Sequence, residues 1–333
     1  MIRVEGLTKD YGARRAINNI AFDAAKGEIV GFLGPNGAGK TTTMRILCGF
    51  MPPTSGTAEV AGFDVVEHSL EVRRRVGYMP ETVPLYADMT VFDYLKYMAD
   101  LRRLTDAVDR VEDVLEKVGM EDRADGYIGK LSKGMRQRIG LAQALVHDPD
   151  VLILDEPTIG LDPAQIIEVR KLIRELGEQH TVLLSTHILS EAQQICNRVL
   201  IINKGEIVAE DTPKSLSDRF AANKRISLSV SSDAEGLISV VNAIPGVANV
   251  EIVSDGELEV EALPGEDPQS QIVRAVVTEG YNLLEVKSVG MSLEDIFLEL
   301  TRDEDEYNEP EEIMDGEDVE LEPEDDDAGE EDD

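Results

Sequence analysis

Two hydrophobic rhythms alternate along most of this chain. Up to about residue 60 the apolar positions come in short runs broken by turn residues, and "IRVEGLT", "AINNIAFDA", "EIVGFLG" and "TAEVAG" read as strands. A helix beginning near Lys40 ends before Pro52 and Pro53, because proline cannot continue it. From Thr90 to Val118 the spacing changes to three and four. Val91, Tyr94, Leu95, Met98 and Leu101 share one helical face, and Val111, Val114, Leu115 and Val118 share another. "VLILDEP", Val151 to Pro157, has no polar alternation, as expected of a strand covered on both faces. "TVLLST" and "RVLIIN" follow with helices between them, so the pattern predicts an α/β fold around a parallel sheet.

Beyond about Asn223 the texture differs. "RISLSV" reads as a strand, "AEGLISVVNAI" as a helix, and "VANVEIVS" with "GELEVEAL" as a hairpin. "DPQSQIVRAVVTEG" is then a helix and "NLLEVKSV" a last strand, giving the βαββαβ order of a ferredoxin-like α+β unit. A short amphipathic helix, "SLEDIFLEL", closes it. The expected division is therefore a first domain over 1–222, an accessory α+β domain over 223–301, and a tail over 302–333. A length of 333 residues agrees with about two domains.

Charge sharpens that division. The net charge is −35, and the stretch from Asp303 to Asp333 holds 20 acidic residues with no Lys or Arg. Such a tail repels itself and is expected to be disordered. The remaining 302 residues hold 47 acidic and 32 basic side chains, a balance that argues against non-specific nucleic-acid binding, which needs a basic face. Two cysteines, Cys48 and Cys196, make no disulfide framework, and the N-terminus carries no secretory pattern, so a reducing cytoplasm is expected. No apolar run approaches the ~20 residues of a membrane span. If the protein works at a membrane, another chain supplies the spanning helices.

The chemistry is concentrated in a few places. Gly34-Pro35-Asn36-Gly37-Ala38-Gly39-Lys40-Thr41 matches G-x(4)-G-K-[ST] between a strand and a helix, and Thr42 follows it. Its glycines let backbone amides converge on a phosphate at a helix N-terminus. Lys40 suits β/γ-phosphate oxygens and the Thr41 hydroxyl suits Mg²⁺. Asp155, at the end of "VLILDEP", is placed to hold that Mg²⁺, and Glu156 to act on water as a general base. His68, His147 and His180 show no metal spacing and are expected to be ordinary surface or loop residues.

Further segments carry a family resemblance. "LSKGMRQR", Leu131 to Arg138, resembles the LSGGQ signature of ABC ATPases, although alone "LSKG" reads as a helix cap. "TIGLD", ending at Asp162, looks like their D-loop, and "STH", ending at His187, like their switch histidine. Tyr11 matches the aromatic residue that stacks on adenine. The resemblance covers about residues 1 to 220 and implies a P-loop NTPase of the ABC ATPase type, with a helical subdomain at about 84–145. It implies ATP and Mg²⁺ as cofactors and a head-to-tail dimer, of identical chains or with a related ATPase. Ser132 and Gly134 of one chain would bind the γ-phosphate held by the other, and His187 would position it. It also implies a multi-span membrane permease as a partner, with the ATPase peripheral on the inner face of the cell membrane.

Three positions, in two motifs, depart from the family pattern. Lys133 and Met135 replace the usual glycine and glutamine of the signature, and Glu81 stands where most relatives carry the Q-loop glutamine. Glu81 can ligate Mg²⁺ or orient water, yet it adds negative charge near Glu156. "GYMPE" together with "PLYADMTVFDYL" most resembles ATPases of exporters whose ATPase and membrane subunits are separate chains. The expected function is thus an ATPase that powers export. Two alternatives stand beside it: a soluble ATP-gated clamp on nucleic acid or ribosomes, and a regulator that closes on ATP without turnover.

Overall fold

The computed structural model describes residues 1–220, 225–231, 235–254, 256–263 and 266–289. The closing helix expected in "SLEDIFLEL" and the acidic tail lie outside these residues. In chain order the elements begin with β1 (Ile2–Tyr11), β2 (Arg14–Ala24), β3 (Ile29–Leu33), α1 (Lys40–Leu47), β4 (Ser55–Val60) and β5 (Phe63–Asp64). Then come α2 (Ser69–Arg75), β6 (Val76–Met79), α3 (Val91–Leu101), α4 (Ala107–Val118) and α5 (Lys133–Leu145). They continue with β7 (Val151–Asp155), α6 (Pro163–Gly177), β8 (Thr181–Thr186), α7 (Leu189–Ile195), β9 (Arg198–Asn203), β10 (Glu206–Asp211) and α8 (Pro213–Phe220).

The unbroken apolar runs become the middle of a six-stranded sheet in the order β10-β9-β3-β8-β7-β6. It is parallel from β9 to β6, and β10 closes one edge antiparallel to β9. Alternation along these strands feeds two separate cores. Ile29, Leu33, Leu152, Leu154, Val182, Leu184, Val199 and Ile201 point to one face, where they pack with apolar residues of α3 to α7. Val30, Phe32, Val151, Ile153, Leu183, Leu200 and Ile202 point to the other, against α1 and the antiparallel sheet β2-β1-β4-β5. Each such side chain contributes roughly 1.5–3 kcal/mol on burial, which is why the strands read as continuous hydrophobic runs.

The helices start where the sequence has capping residues. Thr90 accepts from the Asp93 amide at 3.1 Å to begin α3. Ser132 caps α5 through the Met135 amide at 3.2 Å. Asp162 caps α6 through the Gln165 amide at 3.0 Å, with Pro163 at the first helical position.

Beyond these lie β11 (Arg225–Val230), α9 (Glu235–Asn242), β12 (Val247–Ser254), β13 (Glu257–Ala262), α10 (Gln269–Thr278) and β14 (Leu283–Val289). The strand order is β12-β13-β11-β14, antiparallel throughout, which is the ferredoxin-like arrangement read from the sequence. A core of its own, built on Ile226, Leu228, Leu237, Val241, Leu258, Val260, Ile272 and Val276, fills this unit.

Candidate active site

Three neighbouring parallel strands, β3, β8 and β7, end at the same edge of the central sheet, and each delivers one piece of the site. The crevice beyond the carboxyl ends of such strands is where α/β folds hold ligands. After β3 the chain turns through Gly34 to Gly39 into α1. Gly39 has φ 113°, closed to ordinary side chains, and a Cβ there would lie 2.7 Å from the Ala16 carbonyl oxygen. The loop is pinned from within by the Ala38 amide to the Pro35 carbonyl (3.2 Å) and from outside by the Gly205 amide to the Ala38 carbonyl (3.0 Å).

Lys40 is buried, and its ammonium donates to the Gly34 carbonyl at 2.6 Å and the Pro35 carbonyl at 3.2 Å. Its Nζ lies 3.8 Å from Glu156 Oε1. Burial pulls the Lys40 pKa below its ordinary value, while Glu156, Asp155 and Glu81 pull the other way.

At the end of β7, Asp155 is buried and accepts from the Ser185 hydroxyl at 2.6 Å through Oδ1. The same hydroxyl accepts from the Glu156 amide at 2.9 Å. Asp155 Oδ2 and Glu156 Oε1 are buried without a hydrogen-bond partner. A buried carboxylate oxygen left so is costly unless a cation or donor meets it. Hard oxygen ligands are what Mg²⁺ takes, and Thr41 offers a hydroxyl to the same cleft, so these residues fit a shared Mg²⁺. Glu156 has φ 49°, unusual for a residue with a Cβ, and strain of this sort gathers at functional sites. At the end of β8, His187 places Nδ1 2.9 Å from Glu156 Oε2.

These groups line one cleft of about 690 Å³. It brings together Tyr11, Pro35, Asn36, Gly37, Gly39, Lys40, Thr41, Thr42, Glu81, Asp155, Glu156 and His187, all singled out in the sequence. Tyr11 is 47% exposed at its rim, its hydroxyl 3.2 Å from Met51 Sδ. Gly34 and Ala38 are buried behind the loop and do not line the cleft. Ser132 and Gly134 do not line it either. The residues around them, Lys133, Arg136 and Gln137, line an adjoining cleft of about 400 Å³ that Glu81 also borders.

Arg14, Ala16 and Ile159 line the main cleft and were not anticipated. Arg14 had a signal, as a cation just past the turn that follows Tyr11, and Ile159 lies in the segment that resembles the D-loop. Two histidines sit in loops, as expected, but are more buried than a surface residue. His180 is buried with Nδ1 2.7 Å from the Pro149 carbonyl, and His147 is half-buried with Nε2 3.1 Å from the Val76 carbonyl. Both are packed against backbone oxygens that linear spacing does not reveal. His68 is exposed, as expected.

Comparison with known proteins agrees with this geometry. Residues 17–159 match the family model described as "ABC transporter". The bacitracin transport ATP-binding protein BcrA of Bacillus licheniformis is 35% identical over 302 residues, covering 90% of this chain and 97% of that protein. The Nod factor export ATP-binding protein I of Cupriavidus metallidurans is 39% identical over 225 residues, covering 66% of this chain and 73% of its own. A solved ATP-binding subunit of an ABC transporter superposes with a TM-score of 0.60 at 31% identity, over 66% of this chain and 93% of that one. The chain belongs to the ATP-binding subunits of ABC transporters and is an ATPase.

Proposed function

We propose that this chain powers export through a separate membrane permease, working as a dimer that closes on ATP and reopens after hydrolysis. The observation that carries this reading is the convergence of Lys40, Asp155, Glu156 and His187 at the ends of three adjacent strands around one cleft. Relatives named for bacitracin transport and for Nod factor export support the exporter assignment.

In this reading the backbone amides of Gly37 to Thr42 and the Lys40 ammonium hold the β- and γ-phosphates, and Tyr11 stacks on the base. Thr41 and Asp155 would hold Mg²⁺, with Glu81 at the same wall. When bound, the metal would supply charge neutralisation at the phosphate oxygens. Glu156 takes the proton of the attacking water, and His187, 2.9 Å from it, orients the pair toward the γ-phosphate. Ser132 and Gly134 serve the partner protomer's nucleotide, in keeping with their place outside this chain's own cleft.

The proposed division is an ATPase domain over 1–222 with a helical subdomain near 84–145, then an accessory domain over 223–301. Among the described residues no helix is long and apolar enough to cross a membrane. The permease is therefore proposed as a separate chain, with this one peripheral on the inner face of the membrane. Its docking place is a second, largely apolar cleft of about 730 Å³ beside Pro80, lined by Phe50, Met51, Tyr78 and Pro84 and rimmed by Arg45, Arg73 and Arg102.

The test is to tag the Glu156→Gln protein, trap it with Mg-ATP in its native host, solubilise the membranes and identify what copurifies. The expected result is a multi-span membrane protein in stoichiometric amount. Ribosomes, nucleic acid, or a trapped dimer alone in the soluble fraction would overturn the transporter reading.

A further inference from the structure

One buried carboxylate does not line the cleft. Glu191, in the first turn of α7, is 1% exposed. Its Oε2 accepts from the Thr158 hydroxyl at 2.6 Å and from the Thr186 hydroxyl at 3.4 Å. Its Oε1 lies 3.2 Å from Arg170 Nη2 on α6, and Arg170 Nη1 donates to Gln194 Oε1 at 3.0 Å. Both threonines are buried. A carboxylate here stays in place only because an arginine and two hydroxyls meet it; an apolar side chain of similar size would cost less.

The positions of those hydroxyls give the arrangement a purpose. Thr158 is two residues past Glu156, in a turn where the Ile159 amide bonds to the Glu156 carbonyl (3.1 Å) and the Leu161 amide to the Thr158 carbonyl (3.2 Å). Thr186 immediately precedes His187, and its hydroxyl also accepts from the Ile188 amide at 3.0 Å. Glu191 therefore holds, from behind, the segment that presents Glu156 and the segment that presents His187. Glu156 carries a strained φ of 49°, a conformation that persists only where the surroundings over-determine it. An error of about 1 Å in a pair of this kind is enough to cost on the order of 100-fold in rate.

We infer that Glu191 is a positioning residue: through Thr158 and Thr186 it fixes the register of Glu156 against His187. This rests on the roles assigned to that pair under Proposed function. Substrate affinity should be nearly indifferent to Glu191, because it does not line the cleft.

The test uses the full chain and steady-state ATPase kinetics, with nucleotide affinity measured separately. Thr158→Val removes one hydroxyl at constant shape, and Thr158→Ser restores it. Thr158→Val should lower kcat by about 10-fold with KM within twofold, whereas Thr158→Ser should stay within twofold of the parent. Glu191→Gln keeps the shape but discharges the hub, and should show the same kcat loss at unchanged KM. It serves independently if the valine variant does not fold. In a His187→Ala background, Thr158→Val should cost less than twofold, since the partner to be positioned is gone.

A purely structural role would lower the melting temperature without this split. It would also leave the Thr158→Val effect equally large in the His187→Ala background; that result, or an unchanged kcat in both Thr158→Val and Glu191→Gln, overturns the inference. A His187→Ala protein with parental kcat would instead overturn the assignment of His187, and the coupling inferred through it as well.

Discussion

The carboxyl end of the central sheet and the four-stranded sheet of residues 225–289 handle charge in opposite ways. At the first, Lys40, Asp155, Glu156 and Glu191 are all buried, with Asp155 Oδ2 and Glu156 Oε1 lacking hydrogen-bond partners and Glu156 at positive φ. At the second, the buried side chains among the described residues are apolar and the charges sit in partly exposed pairs, such as Arg225 with Glu259 and Glu261 and Lys287 with Glu285. Both regions fold by the same packing rules, and the second gives up nothing for them. Buried, incompletely satisfied charge is expensive, so its concentration at one edge of one sheet marks that edge as the working part.

The largest effect tests the costly region. Glu156→Gln keeps the shape and removes the base, so kcat should fall by about 100-fold or more while ATP binding persists. Phosphate release and nucleotide binding, measured on the same preparation, check it. Hydrolysis at the parental rate would mean that Glu156 is not the base.

The converse substitution lies in the plain region. Leu228 is wholly buried in the core of β11 to β14. Leu228→Ala should destabilise that sheet by roughly 3 kcal/mol, the usual cost of a large-to-small core change. It should leave kcat and KM for ATP within twofold, as read by denaturant melts alongside ATPase assays. A matching loss of kcat would show that the two regions are not separable.

Much of the first region was legible in the sequence because its parts are local. The loop from Gly34 to Thr41 is a contiguous motif. Asp155 and His187 each close an apolar run that no solvent-exposed strand would carry. The βαββαβ succession of the last unit was read from its strand and helix segments. What escaped was built from pieces far apart in the chain. Thr158, Arg170, Thr186 and Glu191 look, one at a time, like a turn residue, a helix surface cation, a strand end and an acidic residue in a first helical turn. Only the fold brings α6, α7 and the two loops onto one carboxylate. Ile159 and Ala16 reach the cleft for the same reason. The burial of the two loop histidines beside Pro149 and Val76 was not legible, because it is decided by neighbours distant in sequence.

His147 offers a pH-dependent test, smaller than the core substitution. Burial and then the charge of Arg102 lower its pKa from 6.5 to about 4, so the folded protein keeps it neutral where the unfolded chain does not. Above pH 6.5 the two states bind protons equally at this site. As pH falls from 6.5 to 4 the unfolded chain takes up a proton first, and stability should drop by about 2–3 kcal/mol before levelling off. His147→Gln should remove that part of the pH dependence and leave the carboxylate contributions in place. Parallel denaturant melts at pH 7.5 and pH 4.5 would read the difference, and equal slopes for both proteins would show that His147 is not held neutral.

The smallest expected effect bears most directly on the comparison. Arg225 lies 3.4 Å from Glu259 and 3.0 Å from Glu261 across the β11–β13 pair, with 38% of its side chain exposed. Lys40 lies farther from Glu156, at 3.8 Å, yet both members of that pair are under a tenth exposed. Distance alone would rank the Arg225 pairs as the stronger. Solvent reverses the order, because a partly exposed ion pair is screened by water and salt and contributes well under about 1 kcal/mol. Arg225→Ala should therefore cost less than about 1 kcal/mol, with the cost shrinking further at high ionic strength. A measured loss of several kcal/mol, indifferent to salt, would mean that the charges of residues 225–289 are not merely a solvated surface, and that burial is not what separates the two regions.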